Sequence, residues 1–348
     1  MKKIYYIAVV FAILFLAGCG DGIDLPGVNV ETDLNKIPLP DNNVNLEQVE
    51  LKPSTEPMLH EGLHTEEDFQ RIRDKKAAGE EPWVSAYQLL VESQFSQKTA
   101  DTYPTEWIKR GVSGDENYMN AARGATIAYQ QALRWKIEQD DEYAAKAVEN
   151  LNKWVQTCVG VTGNTNLSLA AGLYGYEFAI AGELLRDYEG WDRADFAAFQ
   201  NWLLKVFYPA NDDFLKRHHD TNALHYWANW CLCNIAAKMA IGIVTDRRDI
   251  YNEGIDHLQT GDTNGRLRRA IYHDYAPDYN FAQWQESGRD QGHTLMCVGL
   301  MGIICQLAWS QGDDFFAYDD NLFLRACEYA ACCNYTNETV PYTTYIWQ

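Results

Sequence analysis

The sequence predicts an all-α protein built from paired antiparallel helices. Between residues 60 and 335, apolar side chains recur at the spacing of helices that bury one face. Short polar connections separate these segments, and the alternating pattern of strands is scarce. Hydrophobic residues make up 47% of the chain, which is enough for a large core. These observations favour one large helical domain over residues 57–348.

The helices can be assigned in chain order from their start and stop signals. The first begins near Thr65, because Asp68 completes a capping box with it. The segment TYPTEWIKRG is then predicted as a loop. Further helices are predicted over 117–140, 141–159, 167–188, 192–207, 221–244 and 249–258, and helical pairs continue to residue 335. No fixed-period repeat is visible, which disfavours a helical solenoid.

The N-terminus carries an export signal. Residues 1–18 contain two lysines, an apolar run and the sequence LAG, followed by Cys19. This is the pattern of a lipoprotein signal peptide, in which Cys19 is acylated and becomes the first residue after cleavage. Residues 19–56 lack helical periodicity and are predicted to form a flexible acidic tether. We therefore expect an exported lipoprotein, periplasmic or anchored to the outer membrane.

The charge of the chain limits its partners. A formal net charge of −20 argues against nucleic acid as a partner and gives no long-range attraction for an anionic glycan. A polyanionic substrate would therefore need a locally basic cleft. The basic residues that could line it are Lys216, Arg217, Arg268, Arg269 and Arg289.

Cysteine usage does not indicate a disulfide framework. Eight cysteines remain when Cys19 is set aside, and most lie in apolar helical segments, where a free thiol behaves as a small core residue. We expect mostly reduced, buried thiols and at most one or two bridges. Cys231 and Cys233 lack the matching second pair of a zinc site. No nucleotide loop, HExxH motif or nucleophile elbow is present, so no cofactor and no metal are predicted.

The segment WQESGRDQGHTLMCVGLMGIICQLAW, residues 284–309, sets polar and charged side chains directly before an apolar helix. If the turn is helical, Gln285, Arg289 and His293 occupy positions i, i+4 and i+8 on one face. The helix dipole explains the acidic Glu286 and Asp290 at a helix start, but it does not explain the arginine and the histidine. The segment is therefore a candidate functional site.

A second segment, HHDTNALHYWANWCLCNIAAKMAIGI, has the same character. Asn222, His225 and Asn229 stand at i, i+3 and i+7, while Trp227 and Trp230 can supply packing. A polar stripe facing solvent or hydrogen-bonded buried amides would also explain this pattern. Because two such segments occur in one chain, we favour a site formed by both.

Aromatic residues are abundant, with 11 tryptophans and 21 tyrosines. Carbohydrate clefts use aromatic faces against sugar rings, although core packing accounts for most aromatic residues. The residues expected to line a cleft are Tyr174, Tyr176, Tyr272, Tyr275, Tyr279 and Trp284.

Several pieces of the chain resemble the alginate-lyase-like family of polysaccharide lyases, within the chondroitin AC/alginate lyase superfamily. They are ESGRDQGHT, AWSQGDDFFAYDDNLFLRACEYAACCN, HYWANW and NLSLAAGLYGYEFAIAGELLR. The resemblance runs from about residue 107 to residue 335, and ESGRDQGH is its most specific part. It implies an (α/α) toroid or barrel, complete or incomplete, that cleaves uronate-containing polysaccharides of the alginate or glucuronan type by β-elimination. Family members commonly continue with further helices, so the domain is expected to be truncated at its C-terminus.

The resemblance also implies roles for residues. Lyases of this fold use a histidine and a tyrosine for proton transfer, which points to His225 and Tyr279, with Tyr272 and Tyr275 as rivals of the latter. Asn222 and Arg289 would neutralise the substrate carboxylate, and His293 with Gln285 would orient it. Further substrate-binding candidates are Asn166, Tyr174, Tyr176, Asn229, Tyr275, Trp284 and Glu286.

Two other functions remain open from the sequence. A glycoside hydrolase on the same toroid would need two carboxylates, and Glu286 and Asp290 could serve with Asp220 or Asp278 as partner. A surface-tethered lipoprotein that binds glycans without cleaving them would also explain the aromatic residues and the anchor. Detection of an unsaturated uronate product would distinguish the lyase from both alternatives, because only a lyase produces it.

Overall fold

A computed structural model describes residues 54–335 and 339–344 of the chain. The predicted signal peptide, Cys19 and the tether up to residue 53 lie outside the described residues. Within them, the chain forms an all-α toroid with two small sheets, which confirms the predicted fold class.

The helices follow one another closely along the chain. In order they are α1 Glu66–Ala77, α2 Trp83–Glu92, α3 Tyr118–Glu138, α4 Asp141–Thr157, α5 Leu167–Leu184, α6 Arg193–Val206, α7 Tyr208–Arg217, α8 Ala228–Val244, α9 Arg248–Thr260, α10 Leu267–Ala270, α11 Gln291–Ser310 and α12 Tyr318–Tyr335. The strands are β1 Trp107–Arg110, β2 Gly160–Gly163, β3 Ile271–Asp274 and β4 Ala282–Trp284. The predicted capping box of α1 is confirmed, since Thr65 and Asp68 bond reciprocally.

Two classes of helix form two layers. Helices α3, α5, α8 and α11 pack side by side in that order as the inner layer. Helix α8 is buried all round except at Trp230, as expected for a helix that is apolar on every face. Helices α4 and α9 bury one face only and pack on the outside of α3 and α8. The sequence therefore distinguishes the two layers: inner helices are apolar on every face, and outer helices are apolar on one face only.

Helices α5 and α8 of the inner layer run parallel. Near the N-terminal ends of α5 and α8, the Asn234 side-chain amide donates to the Ser168 carbonyl over 3.2 Å. At their C-terminal ends, Arg186 donates to the carbonyls of Ile243 and Val244. The N-termini of α5 and α8 consequently share one end of the toroid. Asn229, near the start of α8, also contacts Met296 in the N-terminal part of α11.

The opposite end is covered by the segment that precedes α1. Gln311, just after α11, accepts from the Leu59 backbone N–H over 2.9 Å and donates back to the Leu59 carbonyl. Arg248, at the start of α9, donates to the carbonyls of Glu56 and Pro57. This arrangement leaves the N-terminal ends of the inner helices as the end that can form a cleft.

The two sheets are local. Strands β1 and β2 pair in parallel, and the adjoining Gly163 adopts a φ of 144° where a side chain would collide with the Arg110 carbonyl. Strands β3 and β4 pair antiparallel with an irregularity after Ile271, and β4 leads into the segment before α11. Both sheets lie near the N-terminal ends of inner helices.

The cysteines and helix α11 both belong to the apolar core. All eight described cysteines carry free thiols, and six of them are buried, which confirms the prediction for thiols. Among the described residues, α11 alone has the length and apolar composition of a membrane span, and 61% of its most apolar window is buried in the fold. It packs against α8 and α12 as a core helix.

Candidate active site

The site-like segments meet at the N-terminal ends of α8 and α11. One segment, 218–227, precedes α8; the other, the 3₁₀ turn Gln285–Gly288, precedes α11. Helix N-termini carry partial positive charge and unpaired backbone N–H groups, which favour bound anions. The two segments are neighbours, since side chains of the turn before α11 accept hydrogen bonds from the start of α8. That they form one functional site stays a prediction.

Gln285 and Glu286 cap α8 from the neighbouring segment. The Ala228 N–H donates to Gln285 Oε1 over 2.7 Å, and the Asn229 N–H donates to Glu286 Oε1 over 3.4 Å. Both capping side chains are buried. They satisfy N–H groups that a helix start leaves without an intrahelical partner, and so they join the two segments.

Arg289 lies at this junction. Its guanidinium stands 5.5 Å from the ring centre of Trp227, and its Nη1 is 3.5 Å from Glu286 Oε2. Burial raises the pKa of Glu286, and the nearby Arg289 opposes that rise. The Arg289 side chain is 32% exposed, so it can still meet a ligand while Trp227 and Glu286 fix its position.

His293 is held by the N-cap of α11. Asp290 accepts from the His293 backbone N–H over 2.8 Å and faces His293 Nδ1 at 2.6 Å. Desolvation opposes ionisation of Asp290, but these hydrogen bonds and the nearby cations keep its pKa below the ordinary value. The prediction that Gln285, Arg289 and His293 share one helical face is wrong, because Asp290 is extended and α11 begins only at Gln291.

The segment before α8 is a loop. The prediction that Asn222, His225 and Asn229 share a helical face is wrong, since α8 begins at Ala228. Asn222 and His225 are exposed, and Asn222 Oδ1 accepts from the Leu224 N–H over 2.9 Å.

The Asn264 side-chain amide fixes this loop by donating to the carbonyls of Leu224 and Tyr226. The His225 ring then packs edge-on against Tyr226 at 4.9 Å. Asn229 is buried, and its Nδ2 lies 3.5 Å from the sulfur of Met296, so it contributes to packing between α8 and α11.

The three candidate tyrosines of the β3–β4 hairpin differ in exposure. Tyr279 is 53% exposed in the connection between the strands. Tyr275 donates to Gln283 Oε1 over 2.6 Å, and Tyr272 bonds the Thr343 carbonyl. Of the three, Tyr279 is the most accessible.

Other predicted substrate-binding residues fall in different environments. The expectation that Trp284 lines a cleft is wrong: it is fully buried, packs edge-on against Phe323 and donates to the Ala326 carbonyl. The same expectation is wrong for Tyr174 and Tyr176, which are buried on α5. Asn166 precedes α5, where its side chain and N–H both donate to Asn164 Oδ1.

The predicted basic cleft is mostly neutralised. Lys216 and Arg217 pair with Asp212 and Asp213 on α7, and Arg268 pairs with Asp319. Exposed pairs of this kind leave little free positive charge.

The acidic residues that a hydrolase would need already bind neighbouring groups of the protein. Asp290 caps α11, Asp220 pairs with Arg217, and Glu286 is fully buried against the start of α8. Among residues 54–335 and 339–344, no group of three or more His, Cys, Asp or Glu side chains is placed to hold a metal ion.

Two charged residues on the inner side of the toroid were missed. Glu177 lies in the middle of the mainly apolar α5, and Arg110 ends β1. Burial raises the pKa of Glu177 to about 8, and a hydrogen bond from Tyr176 opposes this only in part. The sequence does contain a signal for Glu177, which is an acidic residue within the apolar run GLYGYEFAIAG.

Comparison with known proteins decides the family. Residues 72–338 match the alginate lyase family. The chain belongs to the alginate lyase family. It is accordingly a polysaccharide lyase. No curated protein matches the chain by sequence.

Solved structures of the family share its fold. Alginate lyase A1-III from Sphingomonas species A1 superposes with a TM-score of 0.57 at 14% identity, over 80% of each chain. A tyrosine-to-phenylalanine variant of alginate lyase A1-III, complexed with a tetrasaccharide, gives 0.54 at 12% identity over 80% of this chain and 79% of that one. A histidine-to-alanine variant with the same ligand gives 0.53 at 13% identity over the same shares. At these identities the likeness establishes the toroid fold.

Proposed function

We propose that this lyase cleaves a uronate-containing glycan of the alginate or glucuronan type by β-elimination at the N-terminal ends of α8 and α11. The observation that carries the proposal is Arg289, a partly exposed cation fixed on Trp227 where two inner helices begin. A carboxylate placed there would meet a guanidinium and the positive ends of two helices. The oligosaccharide complexes of the related alginate lyase support a glycan substrate.

The chemistry explains why a fixed cation is needed. Elimination removes the proton on C5 of a uronate and expels the oxygen at C4. The C5 proton is acidic enough only when the adjacent carboxylate is neutralised, because charge then moves into that group in the transition state. Arg289 and Asn222 serve this role in the proposal, and His293 assists in orienting the carboxylate.

Proton transfer is assigned to His225 and Tyr279. Both are exposed, and His225 lies on the loop that Asn264 fixes next to Trp227. A base must reach C5, and an acid must reach the C4 oxygen. Because Tyr272 and Tyr275 already bond neighbouring groups, Tyr279 is preferred among the hairpin tyrosines.

The test measures the absorbance of unsaturated uronate with alginate, polymannuronate, polyguluronate, glucuronan and a pectic glycan as substrates. We expect a rise on at least one, and we expect His225→Ala and Tyr279→Phe to lose nearly all of it. If both variants eliminate at near wild-type rates, the assigned pair is incorrect. Reducing ends without ultraviolet absorbance would instead establish hydrolysis.

We further propose that the chain is an exported lipoprotein, anchored at Cys19 and facing the periplasm or the outer membrane. The proposal is supported by the signal-like sequence before Cys19. Labelling with a radioactive fatty acid should mark the wild type and leave Cys19→Ala unlabelled. An unlabelled wild-type protein would refute the anchor without affecting the proposed reaction.

A further inference from the structure

A segment that follows α12 lies across the β3–β4 hairpin. We call residues 340–344 the strap. The Thr343 N–H donates to Gln283 Oε1 over 2.9 Å, and Gln283 Nε2 donates to the Thr343 carbonyl over 3.0 Å. The Tyr329 hydroxyl, on α12, donates to the Pro341 carbonyl over 3.0 Å. Backbone groups of the strap therefore bind side chains of both the hairpin and α12.

The strap also binds the hydroxyl groups of two hairpin tyrosines. Tyr272 donates to the Thr343 carbonyl, and Tyr275 donates to Thr343 Oγ1 over 3.1 Å. Gln283 is fully buried, and its amide also bonds both of these hydroxyls. A side-chain amide has two donor hydrogens and two acceptor lone pairs, so Thr343 supplies half of the partners of Gln283. One residue of the strap thus covers three polar side chains of the hairpin.

The strap reaches the turn that precedes α11. The Tyr342 hydroxyl lies 2.9 Å from the position that a β-carbon would take at Gly288, so a side chain there would collide with it. The next residue along the chain is Arg289, the proposed partner of the substrate carboxylate. Tyr342 itself is 54% exposed. The strap therefore extends from the hairpin tyrosines to the edge of the proposed reaction centre.

Hydrogen bonds, and not apolar packing, hold the strap in place. None of residues 339–344 is fully buried, and none of them belongs to the hydrophobic core. Ordering one residue costs a free energy similar to the net contribution of one hydrogen bond. Segments with few buried apolar contacts open locally while the rest of the protein stays folded. The strap can therefore leave the hairpin without unfolding of the toroid.

We propose that the strap is an autoinhibitory element, which must leave the hairpin before a glycan chain can occupy this face. The hydroxyl and amide groups that it covers are the kinds of groups that bind sugar hydroxyls. When only a fraction of the molecules is open, the apparent affinity for substrate falls by that fraction. The inference rests on the proposed function for its substrate, but opening of the strap can be measured without substrate.

The first experiment compares Thr343→Pro and Thr343→Ala with a control, Thr339→Pro. Proline at position 343 removes both the N–H that bonds Gln283 and the hydroxyl that bonds Tyr275, whereas alanine removes only the hydroxyl. Thr339 is exposed and precedes the strap, so its variant places a proline nearby without touching the hairpin contacts. For each variant, kcat/KM is measured on the uronan that the wild type cleaves, and thermal unfolding verifies that the variant is folded.

We expect Thr343→Pro to raise kcat/KM by about 3- to 10-fold, because loss of one hydrogen bond shifts the balance between closed and open strap by about that factor. Thr343→Ala should raise it by a smaller factor, and Thr339→Pro should leave it unchanged. A purely structural strap predicts the opposite sign, since loosening it would disturb the hairpin. An unchanged or lower kcat/KM in folded Thr343→Pro would overturn the proposal. If that variant does not fold, Thr343→Ala decides by the same criterion.

Hydrogen exchange of the full chain tests opening directly. The amides of residues 342–344 should exchange much faster than those of α8, and an excess of an oligosaccharide of the cleaved uronan should speed their exchange further, because it binds only the open form. Slower exchange with the ligand would refute autoinhibition. If the wild type eliminates no uronan, the proposed function fails. Exchange without ligand still tests the strap in that case, and rates as slow as those of α8 would show that it does not open.

Discussion

Replacing Arg289 with methionine tests two roles of this arginine together, its proposed part in catalysis and its stabilisation of the buried Glu286. Methionine keeps an apolar stem on Trp227 but removes the charge that lies 3.5 Å from Glu286 Oε2. The variant therefore loses the proposed partner of the substrate carboxylate. It also leaves a fully buried carboxyl group without its cation.

The expected losses in elimination rate and in stability differ in size. Removal of one group that stabilises transition-state charge typically costs about 100- to 1,000-fold in rate. For stability, Coulomb's law at 3.5 Å gives about 5 kcal/mol at an effective dielectric of 20 and about 1 kcal/mol in water. Because Arg289 is 32% exposed, we expect a loss of about 2 kcal/mol in the free energy of unfolding.

The stability loss should depend on pH with a defined sign. The folded pKa of Glu286 already lies above its ordinary value of 4.5, chiefly through burial, and removal of Arg289 raises it further. A carboxyl group with a raised folded pKa contributes stability that is complete below the unfolded pKa and is lost as pH rises through the folded pKa. The difference between wild type and Arg289→Met should therefore be small near pH 4 and grow towards neutral pH.

The assay pairs elimination rates with urea unfolding for Arg289→Met, Glu286→Gln and the double variant. Glutamine is uncharged and can still accept from the Asn229 N–H. The double variant should recover the stability but not the rate. A double variant that recovers both would refute the role of Arg289 in catalysis, as would an Arg289→Met rate within threefold of wild type. Arg268→Met, which removes an arginine paired with Asp319, is the control and should keep its rate.

Three further predictions concern the support of the site. Trp284→Ala should cost about 3–5 kcal/mol in urea unfolding, because the ring is fully buried; a cost below 1 kcal/mol would mean that the ring is not part of the core. Asp290→Ala should cost about 1 kcal/mol at pH 7 through loss of the α11 cap. The difference in the free energy of unfolding between wild type and Asp290→Ala should decrease as pH drops below about 4, because the pKa of Asp290 is lowered in the folded state. A difference that does not depend on pH would contradict this prediction. Thiol labelling should be slow in the native protein, where burial raises the pKa of Cys231 to about 12, and complete in denaturant; rapid native labelling of all cysteines would contradict the packing.

The sequence determined the helical class and the position of most helices. Continuous apolar segments such as α8 can be buried only inside the toroid, whereas one-sided segments such as α9 must lie outside. It also indicated the two segments that meet at the site, since polar residues beside apolar helices need partners.

Only the tertiary structure decided which polar residues face a ligand. Periodicity placed Gln285 and His225 on helical faces, but one is buried as a cap for α8 and the other lies on an exposed loop. A helix begins where its N–H groups find acceptors, and for α8 those acceptors come from residues 57 positions away. Likewise, Arg110 comes near Tyr174 on α5 only through the packing of β1 against α3 and α5, because local periodicity carries no information about contacts between distant segments.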